Sequence, residues 1–325
     1  MATKVSGQRG FADALMHPGL GTNRRLQRID ELIAWDAVSA VLSGLRSGQR
    51  GAPPFPALLM FKALLLQQWY GLSDPGLEEA LGDRLSFRHF VGLTADRAGP
   101  DHATIWRFRQ ALQQAGLAEA SFREITRQLD AHGLVLRQGT LIDASLVAAQ
   151  TAPPPPQDVP EGASKLVRSE HEPDADWTRR DRRLHFGYKM HIAVDAGSLL
   201  VRDAAMTPAS CNETVMADAL VQGDEAAVYA DTAYSTHRRR KELRGRGIKP
   251  RIAYRANKHH ALSSRQKRAN ALIARVRRGV ETSFAVLKRH YDHHRARYRT
   301  LERNCTRLWL ACGALNLRRA LVLIR

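Results

Sequence analysis

Thr140–Ala148, with the sequence TLIDASLVA, decides the fold class of the second half of the chain. An apolar run of this length predicts a buried strand, and Asp143 places a carboxylate in the middle of it. Burying an ionised carboxylate without a partner costs several kcal/mol. We therefore expect Asp143 to be hydrogen-bonded, paired with a cation or bound to a metal. A purely structural Asp bonded to the backbone is the alternative.

Downstream of this strand, predicted strands alternate with predicted helices. Further strands are predicted at 185–195, 198–207, 226–230 and 250–254, and helices at 212–221, 236–246, 270–291 and 300–325. This order predicts a mixed α/β sheet flanked by helices. A Pro-rich, polar stretch at about 150–184 predicts an exposed insertion with no core of its own.

The N-terminal part of the chain predicts an all-helical domain. Helices are expected at 57–70, 74–81, 85–91 and 105–115, the last with Thr104 as its N-cap. Short helices joined by Gly- or Asp-containing turns suit a helix-turn-helix DNA reader, although helical bundles with other functions show the same pattern. The sequence thus predicts a DNA-binding domain at 1–135 and a second domain at 136–325.

Positive charge is distributed unevenly along the 325 residues. The chain carries 50 Lys and Arg against 32 Asp and Glu, a net charge of +18. The segment from His237 to Arg303 has twenty-two basic and four acidic side chains, and the remainder is neutral. Such a block predicts binding to a polyanion, nucleic acid above all, with a solvated helix face as the alternative.

Composition also excludes several classes of protein. No apolar stretch reaches the roughly 18 residues of a membrane span, and no apolar leader follows the N-terminal basic residues. We therefore expect a cytoplasmic protein. The 3 cysteines form no C-x-x-C pair, which argues against disulfides and structural zinc.

Two further acidic residues occupy positions suited to chemistry. Asp231 follows the predicted strand at 226–230, at the edge where open α/β sheets present functional groups. Turn formation is the alternative. Glu281 lies between Arg277 and Lys288 on one margin of the last long helix, and an Arg277–Glu281 ion pair is the alternative. Two Asp and one Glu in a basic protein are the oxygen ligands that Mg²⁺ or Mn²⁺ prefers, and two such ions catalyse phosphoryl transfer.

Together, these segments resemble the DDE transposases of bacterial insertion sequences, of the insertion-sequence-5 kind within the wider insertion-sequence-4-like group. The matching segments are Pro54–Leu66, Leu85–Leu93, Asp101–Leu112, Thr140–Val147, Phe186–Asp195, Val228–Ser235 and Val280–Lys288. The resemblance implies a ribonuclease-H-like catalytic domain and matches the family's catalytic, metal-binding D-D-E set to Asp143, Asp231 and Glu281. The wider group's helix signature has a Tyr where this chain has Ala274.

By this resemblance the protein is expected to be a transposase. It would bind the terminal inverted repeats of its element, cleave the DNA ends and join their 3′ ends to target DNA, using two Mg²⁺ ions for which Mn²⁺ can substitute. The expected partner is double-stranded DNA, held by a homodimer associated with the nucleoid. The residues expected to contact DNA are Arg277, Lys288, Arg278, Arg289, Arg295 and Arg297.

Two other functions remain open at this point. A transposase-derived protein could bind DNA without cleaving it, and a basic RNA-binding or scaffold protein would need no metal. Near the matched segments, Tyr234 is expected at the edge of the core, with base stacking as the alternative. Lys189 and His191 share one face of a predicted strand and are expected to face solvent, with an approach to DNA as the alternative.

Overall fold

The computed structural model describes residues 19–45, 54–94, 96–154, 167–256 and 260–324. These residues divide into two units. The helical unit comprises the described residues up to His132 together with those from Trp309 onward, and the sheet unit runs from Gly133 to Leu308. The predicted second domain extends to residue 325, whereas in the structure the end of the chain groups with the helical unit.

The helical unit is built around one buried helix. Its helices are α1 (Arg24–Leu32), α2 (Trp35–Leu42), α3 (Ala57–Tyr70), α4 (Asp74–Asp83), α5 (Leu85–Val91), α6 (His102–Gln114) and α7 (Leu117–Ala131). Every side chain of α3 from Leu59 to Trp69 is buried. The buried ammonium group of Lys62 is paired with Asp30 at 2.6 Å, which compensates the cost of its burial.

Polar contacts also fix the start of α6 and the position of the last helical residues. Asp101, rather than the predicted Thr104, caps α6, because the Asp101 carboxylate accepts a hydrogen bond from the Thr104 N–H at 2.6 Å. The indole N–H of Trp69 donates to the carbonyl of Ala314 at 2.8 Å. This contact ties the last helical residues to α3 and accounts for their place in the helical unit.

A mixed sheet forms the centre of the sheet unit. Its elements are β1 (Thr140–Ala148), β2 (Asp176–Arg180), β3 (Arg183–Asp195), β4 (Val201–Pro208), α8 (Glu213–Ala217), β5 (Ala227–Ala230), a 3₁₀ turn (Thr232–Tyr234), α9 (His237–Gly245), β6 (Lys249–Ile252), α10 (Ser264–His290) and α11 (Leu301–Leu323), whose last part belongs to the helical unit. Over the described residues, the sheet has six strands in the order β2-β3-β1-β5-β6, and β4 also pairs with β3. β3 is antiparallel to β1 and β4, whereas β5 is parallel to β1 and β6. The predicted ribonuclease-H-like mixed sheet flanked by helices is confirmed.

The two faces of the sheet are covered by different helices. On one face Ile142, Val228 and Ile252 pack with Leu220 and Leu243, in and around α8 and α9. Alternation along β1 directs its other side chains to the opposite face, where α10 packs. No helix in the described part of the chain combines the length and apolar character needed to cross a bilayer.

The predicted coreless insertion contains a strand that the sequence did not reveal. β2 pairs antiparallel with the start of β3, and the rings of Trp177 and Phe186 pack 5.2 Å apart. The hairpin turns at Asp181 and Arg182, both with positive φ, and this pair lacks the Gly or Asn that usually marks such a turn. Residues 155–166 of the predicted insertion lie outside the described residues.

Candidate active site

The sheet places two of the predicted acidic residues at adjacent positions on neighbouring strands. β1 and β5 are adjacent and parallel, and their register pairs Thr140 with Val228. Asp143 and Asp231 each lie three residues further along, so continuing the register places them side by side where β5 ends. Burial is the main cause that raises the pKa of Asp143, and the charge of Asp231 raises it further. The two carboxylates therefore lie within electrostatic reach of each other.

Asp143 is a largely buried carboxylate paired with a cation. Its Oδ2 accepts a hydrogen bond from the guanidinium of Arg277 at 2.9 Å, and its Oδ1 accepts one from the Ala144 N–H at 2.9 Å. The side chains of Arg277 and Asp143 are 17% and 18% exposed. The charge of Arg277 lowers the pKa of Asp143 but does not cancel the effect of burial. The buried carboxylate thus has the partner that its apolar strand requires.

Arg277 reaches Asp143 because α10 approaches the sheet closely at Gly279. A Cβ atom at Gly279 would lie 2.6 Å from the Leu199 side chain and 3.1 Å from that of Leu141, so a larger residue would require these side chains to move. Leu141 and Asp143 point to the same face of β1 because strand side chains alternate. The ion pair of Arg277 is therefore made with the strand, and the alternative Arg277–Glu281 pair is not among the ion pairs of the described residues.

Glu281 lies apart from the aspartate pair. It follows Arg277 by about one helical turn on the same margin of α10, but its side chain is exposed. Among the residues that the structure describes, no three His, Cys, Asp or Glu side chains are close enough to hold a metal ion together. The fold thus brings Asp143 and Asp231 together and leaves Glu281 at the exposed margin of the helix.

The turn after β5 places a tyrosine beside the carboxylates. Asp231 caps this turn by accepting a hydrogen bond from the Ala233 N–H at 2.6 Å. Tyr234 is only 1% exposed, and its hydroxyl has no hydrogen-bond partner within the described ranges. Burial raises the pKa of Tyr234 far above its usual value, and the charges of Asp143, Glu213 and Asp231 add to this effect. The phenol is therefore a neutral donor surrounded by acidic groups.

Glu213 is an acidic group of this site that the sequence reasoning missed. It is the first residue of α8, just after β4, and its side chain is partly buried. Burial raises the pKa of Glu213; Lys189 opposes this effect, and the charges of Asp143 and Asp231 reinforce it. An acidic residue in the first turn of a helix is common because its negative charge is stabilised by the positive end of the helix dipole. Nothing in the sequence distinguishes Glu213 from that ordinary case.

The prediction that Lys189 and His191 face solvent is wrong. They are 8% and 1% exposed, because β3 is buried on both faces from Phe186 to Asp195. The Lys189 ammonium donates to the carbonyl of Cys211 at 2.7 Å. Burial lowers the pKa of His191 to about 4, and the charge of Lys189 contributes. Lys189 is thus a buried cation on the Glu213 side of the site.

The residues predicted to contact DNA lie on α10 and in the segment after it. Arg278, Arg289 and Arg295 are exposed, and Arg277, Lys288 and Arg297 are partly buried. Burial lowers the pKa of Lys288, with a further contribution from Arg180. Arg295 donates to the carbonyls of Ala149 and Gln150 at 3.0 and 2.6 Å, which ties this segment to the end of β1.

Comparison with known proteins gives two family matches and one structural likeness. A family model described as "Transposase DDE domain" matches residues 136–317, more than half of the chain. A second model, "Transposase domain (DUF772)", matches residues 18–111. The cryo-EM structure of a piggyBac transposase synaptic complex with hairpin DNA aligns with 90% of this chain and 71% of its own, at a TM-score of 0.40 and 11% identity.

Proposed function

Because the chain belongs to the family of transposases with a DDE domain, which are metal-dependent enzymes of DNA cleavage and transfer, we propose that it mobilises an insertion sequence of the insertion-sequence-5 kind. The protein binds the terminal inverted repeats of its element and cleaves them by attack of water on phosphorus, which releases a 3′-hydroxyl. That hydroxyl then attacks a target phosphodiester, forming one P–O bond and breaking another. The observation that carries this proposal is that Asp143 and Asp231 occupy adjacent positions on neighbouring parallel strands, with Arg277 bonded to Asp143.

The residues at the aspartate pair fit a divalent cation. Two carboxylates lie within electrostatic reach, and the pKa of Asp143 stays raised despite its contact with Arg277, so a further positive charge between them is favourable. Asp143 and Asp231 would hold the metal, Mg²⁺ with Mn²⁺ as a substitute, because both ions prefer oxygen ligands. When bound, two such ions activate the attacking oxygen and stabilise the leaving oxygen.

Glu281 completes the acidic set in this proposal. It shares a margin of α10 with Arg277, whose side chain already reaches Asp143. Its exposed carboxylate lies about one turn of helix from Arg277. Support for this role comes from the family's D-D-E pattern together with that helical position.

Duplex DNA would be held by basic side chains on both units. In the sheet unit these are the exposed or partly buried residues Arg278, Lys288, Arg289, Arg295 and Arg297, with Arg277 at the carboxylates. Each phosphate that they neutralise releases condensed counterions, so DNA binding should weaken steeply with salt. Because two element ends must be joined in one reaction, the proposed active form is a homodimer.

The helical unit offers a basic pocket that supports its assignment as a DNA-binding domain. The pocket has a volume of about 630 Å³ and is lined by Arg24, Arg25, Arg28, Arg318, Leu321 and Val322. Its described lining includes no acidic side chain. The Arg28 guanidinium is held by the carbonyls of Leu321 and Ile324 at 3.2 and 2.8 Å. A guanidinium fixed in this way suits phosphate oxygens.

The test is a cleavage assay on a plasmid that carries the inverted repeats flanking the gene. Asp143→Asn, Asp231→Asn and Glu281→Gln should each abolish strand cleavage in Mg²⁺ while retaining end binding in a mobility-shift assay. Glu170→Gln, an exposed site away from the pair, is the matched control and should cleave normally. Cleavage retained by any of the three variants would remove that residue from the site.

The alternative function is a transposase-derived protein that binds DNA without cleaving it. Binding alone gives no reason to place Asp143 beside Asp231, because carboxylates repel phosphate unless a cation intervenes. In the same assay, such a protein would shift the mobility of the ends and leave every strand intact in both Mg²⁺ and Mn²⁺.

A further inference from the structure

Glu213 is a carboxylate beside the aspartate pair that the D-D-E pattern does not include. Its helix, α8, packs against β1 and against the turn that follows Asp231. The side chain is partly buried, and no hydrogen bond or ion pair to its carboxylate is found in the described part of the chain. The charges of Asp143 and Asp231 both act on it. A third negative charge is thus held next to two others without a direct partner.

A buried hydroxyl gives a second, independent indication of a ligand at this place. Tyr234 lies in the field of all three carboxylates and is 1% exposed. Its hydroxyl donates to no acceptor among the described residues, although burying a donor unpaired is unfavourable. A phosphate oxygen bound at the carboxylates would supply the missing acceptor.

The number of close carboxylates suggests how Glu213 acts. Mg²⁺ usually retains several of its waters and takes one or two protein carboxylates. No three acidic, His or Cys side chains of the described ranges can share an ion directly. Asp143 and Asp231 match that number as the direct ligands of one ion, and Glu213 beside them is placed to accept hydrogen bonds from water on that ion.

We propose that Glu213 is a positioning residue of the cation site, which orients the waters of the ion held by Asp143 and Asp231, and that the Tyr234 hydroxyl donates to a phosphate oxygen of the bound DNA. This inference rests on the proposed function. It assigns Glu213 a role in cation affinity and Tyr234 a role in the chemical step.

The competing account is that Glu213 only balances a buried cation. Lys189 is 8% exposed, and its charge stabilises the Glu213 carboxylate. If this were its whole role, replacing Glu213 would destabilise the protein equally with and without a divalent cation. The positioning role predicts a different pattern, because removing one of three neighbouring negative charges relieves repulsion when no cation is present.

The experiment compares the full-length wild type with Glu213→Gln. The melting temperature is measured during Mg²⁺ and Mn²⁺ titrations without DNA, and the Mg²⁺ dependence of end cleavage is measured separately. We expect the variant without cation to melt at or above the wild-type temperature. The Mg²⁺ concentrations for half-maximal stabilisation and for half-maximal cleavage should both rise by about tenfold or more, as for other residues that orient metal ligands.

Control variants make each outcome decisive. Glu170→Gln should follow the wild type, and Glu213→Asp, which keeps the charge, should recover part of the cation affinity. Tyr234→Phe should lower the cleavage rate at saturating Mg²⁺ without changing the half-maximal concentration. Unchanged cation dependence in Glu213→Gln overturns the assignment of Glu213, as does equal destabilisation with and without Mg²⁺. A wild-type cleavage rate in Tyr234→Phe overturns the role of Tyr234.

The result that would refute the proposed function differs from the result that would refute the role of Glu213. If Asp143→Asn still cleaves, the aspartate pair is not the catalytic site, whatever Glu213→Gln does. If Asp143→Asn is inactive and Glu213→Gln behaves as the wild type, the active site stands and only the inference about Glu213 falls.

Discussion

Replacing Arg277 with methionine isolates the contribution of the ion pair at the candidate active site. The substitution removes the guanidinium that lies 2.9 Å from the Asp143 carboxylate and keeps an unbranched side chain. Removing one partner of a fully buried pair costs about 3–5 kcal/mol. Because the two side chains are 17% and 18% exposed, the loss should be smaller, about 2–3 kcal/mol. For a unit of this size, that loss lowers the melting temperature by about 4–12 °C.

A double-mutant cycle in scanning calorimetry tests the origin of this loss. In the Asp143→Asn background, Arg277→Met should cost less than about 1 kcal/mol, because the buried charge that Arg277 compensates is gone. The wild-type effect should persist in 0.5 M salt, since buried pairs are weakly screened. Arg275→Met, at an exposed position of the same helix, is the control and should change little. An equal loss in both backgrounds would refute the pairing argument.

The same variant has a pH dependence whose sign follows from the raised pKa of Asp143. A carboxyl whose pKa is raised binds a proton more readily in the folded chain than in the unfolded chain. The contribution of Asp143 to wild-type stability therefore rises as the pH falls through that raised pKa, in a window above the ordinary value of about 3.9. Removing Arg277 raises the pKa of Asp143 further, so this pH window extends to higher pH. The stability difference between Arg277→Met and the wild type should consequently narrow as the buffer is acidified.

Three further predictions test other parts of the molecule. The pKa of His191 is about 4 in the folded protein and 6.5 when unperturbed, so His191 is protonated first in the unfolded chain. The stability that neutral His191 confers is therefore lost as the pH falls from about 6.5 to 4. His191→Gln should flatten the fall in melting temperature over that range. Gly187→Ala should destabilise the sheet unit by about 3 kcal/mol or more in thermal unfolding, because its Cβ would lie 2.2 Å from the Val147 carbonyl oxygen; an unchanged melting temperature would contradict the β1–β3 register. The double variant Arg24→Ala/Arg25→Ala should weaken duplex DNA binding in fluorescence anisotropy and reduce the salt slope by about 2, whereas Arg123→Ala, at an arginine already paired with an acidic side chain, should not.

The sequence was informative where chemistry and pattern coincide in one segment. Asp143 interrupts an apolar strand and Asp231 ends another, so both their elements and their closeness were predictable. Glu213 was not, because its approach to the pair depends on how α8 folds back after β4. The prediction that Lys189 faces solvent failed because it assumes a strand with one solvent-exposed face. β3 is buried on both faces over most of its length.

The two roles of Arg277, one expected from the family resemblance and one observed, are compatible. The resemblance assigns this residue to a DNA phosphate, whereas the structure pairs it with Asp143. A guanidinium carries five N–H donors in a rigid fork, so a single contact with a carboxylate leaves others for a second anion. The Nε of Arg277 has no hydrogen-bond partner among the described residues. Arg277 can therefore hold Asp143 in place and still donate to a phosphate beside it, which a lysine ammonium, with its single point of charge, does less well. For this reason Arg277→Lys should retain more thermal stability than Arg277→Met and yet remain impaired in cleavage, and wild-type cleavage by the lysine variant would show that the fork geometry is not needed.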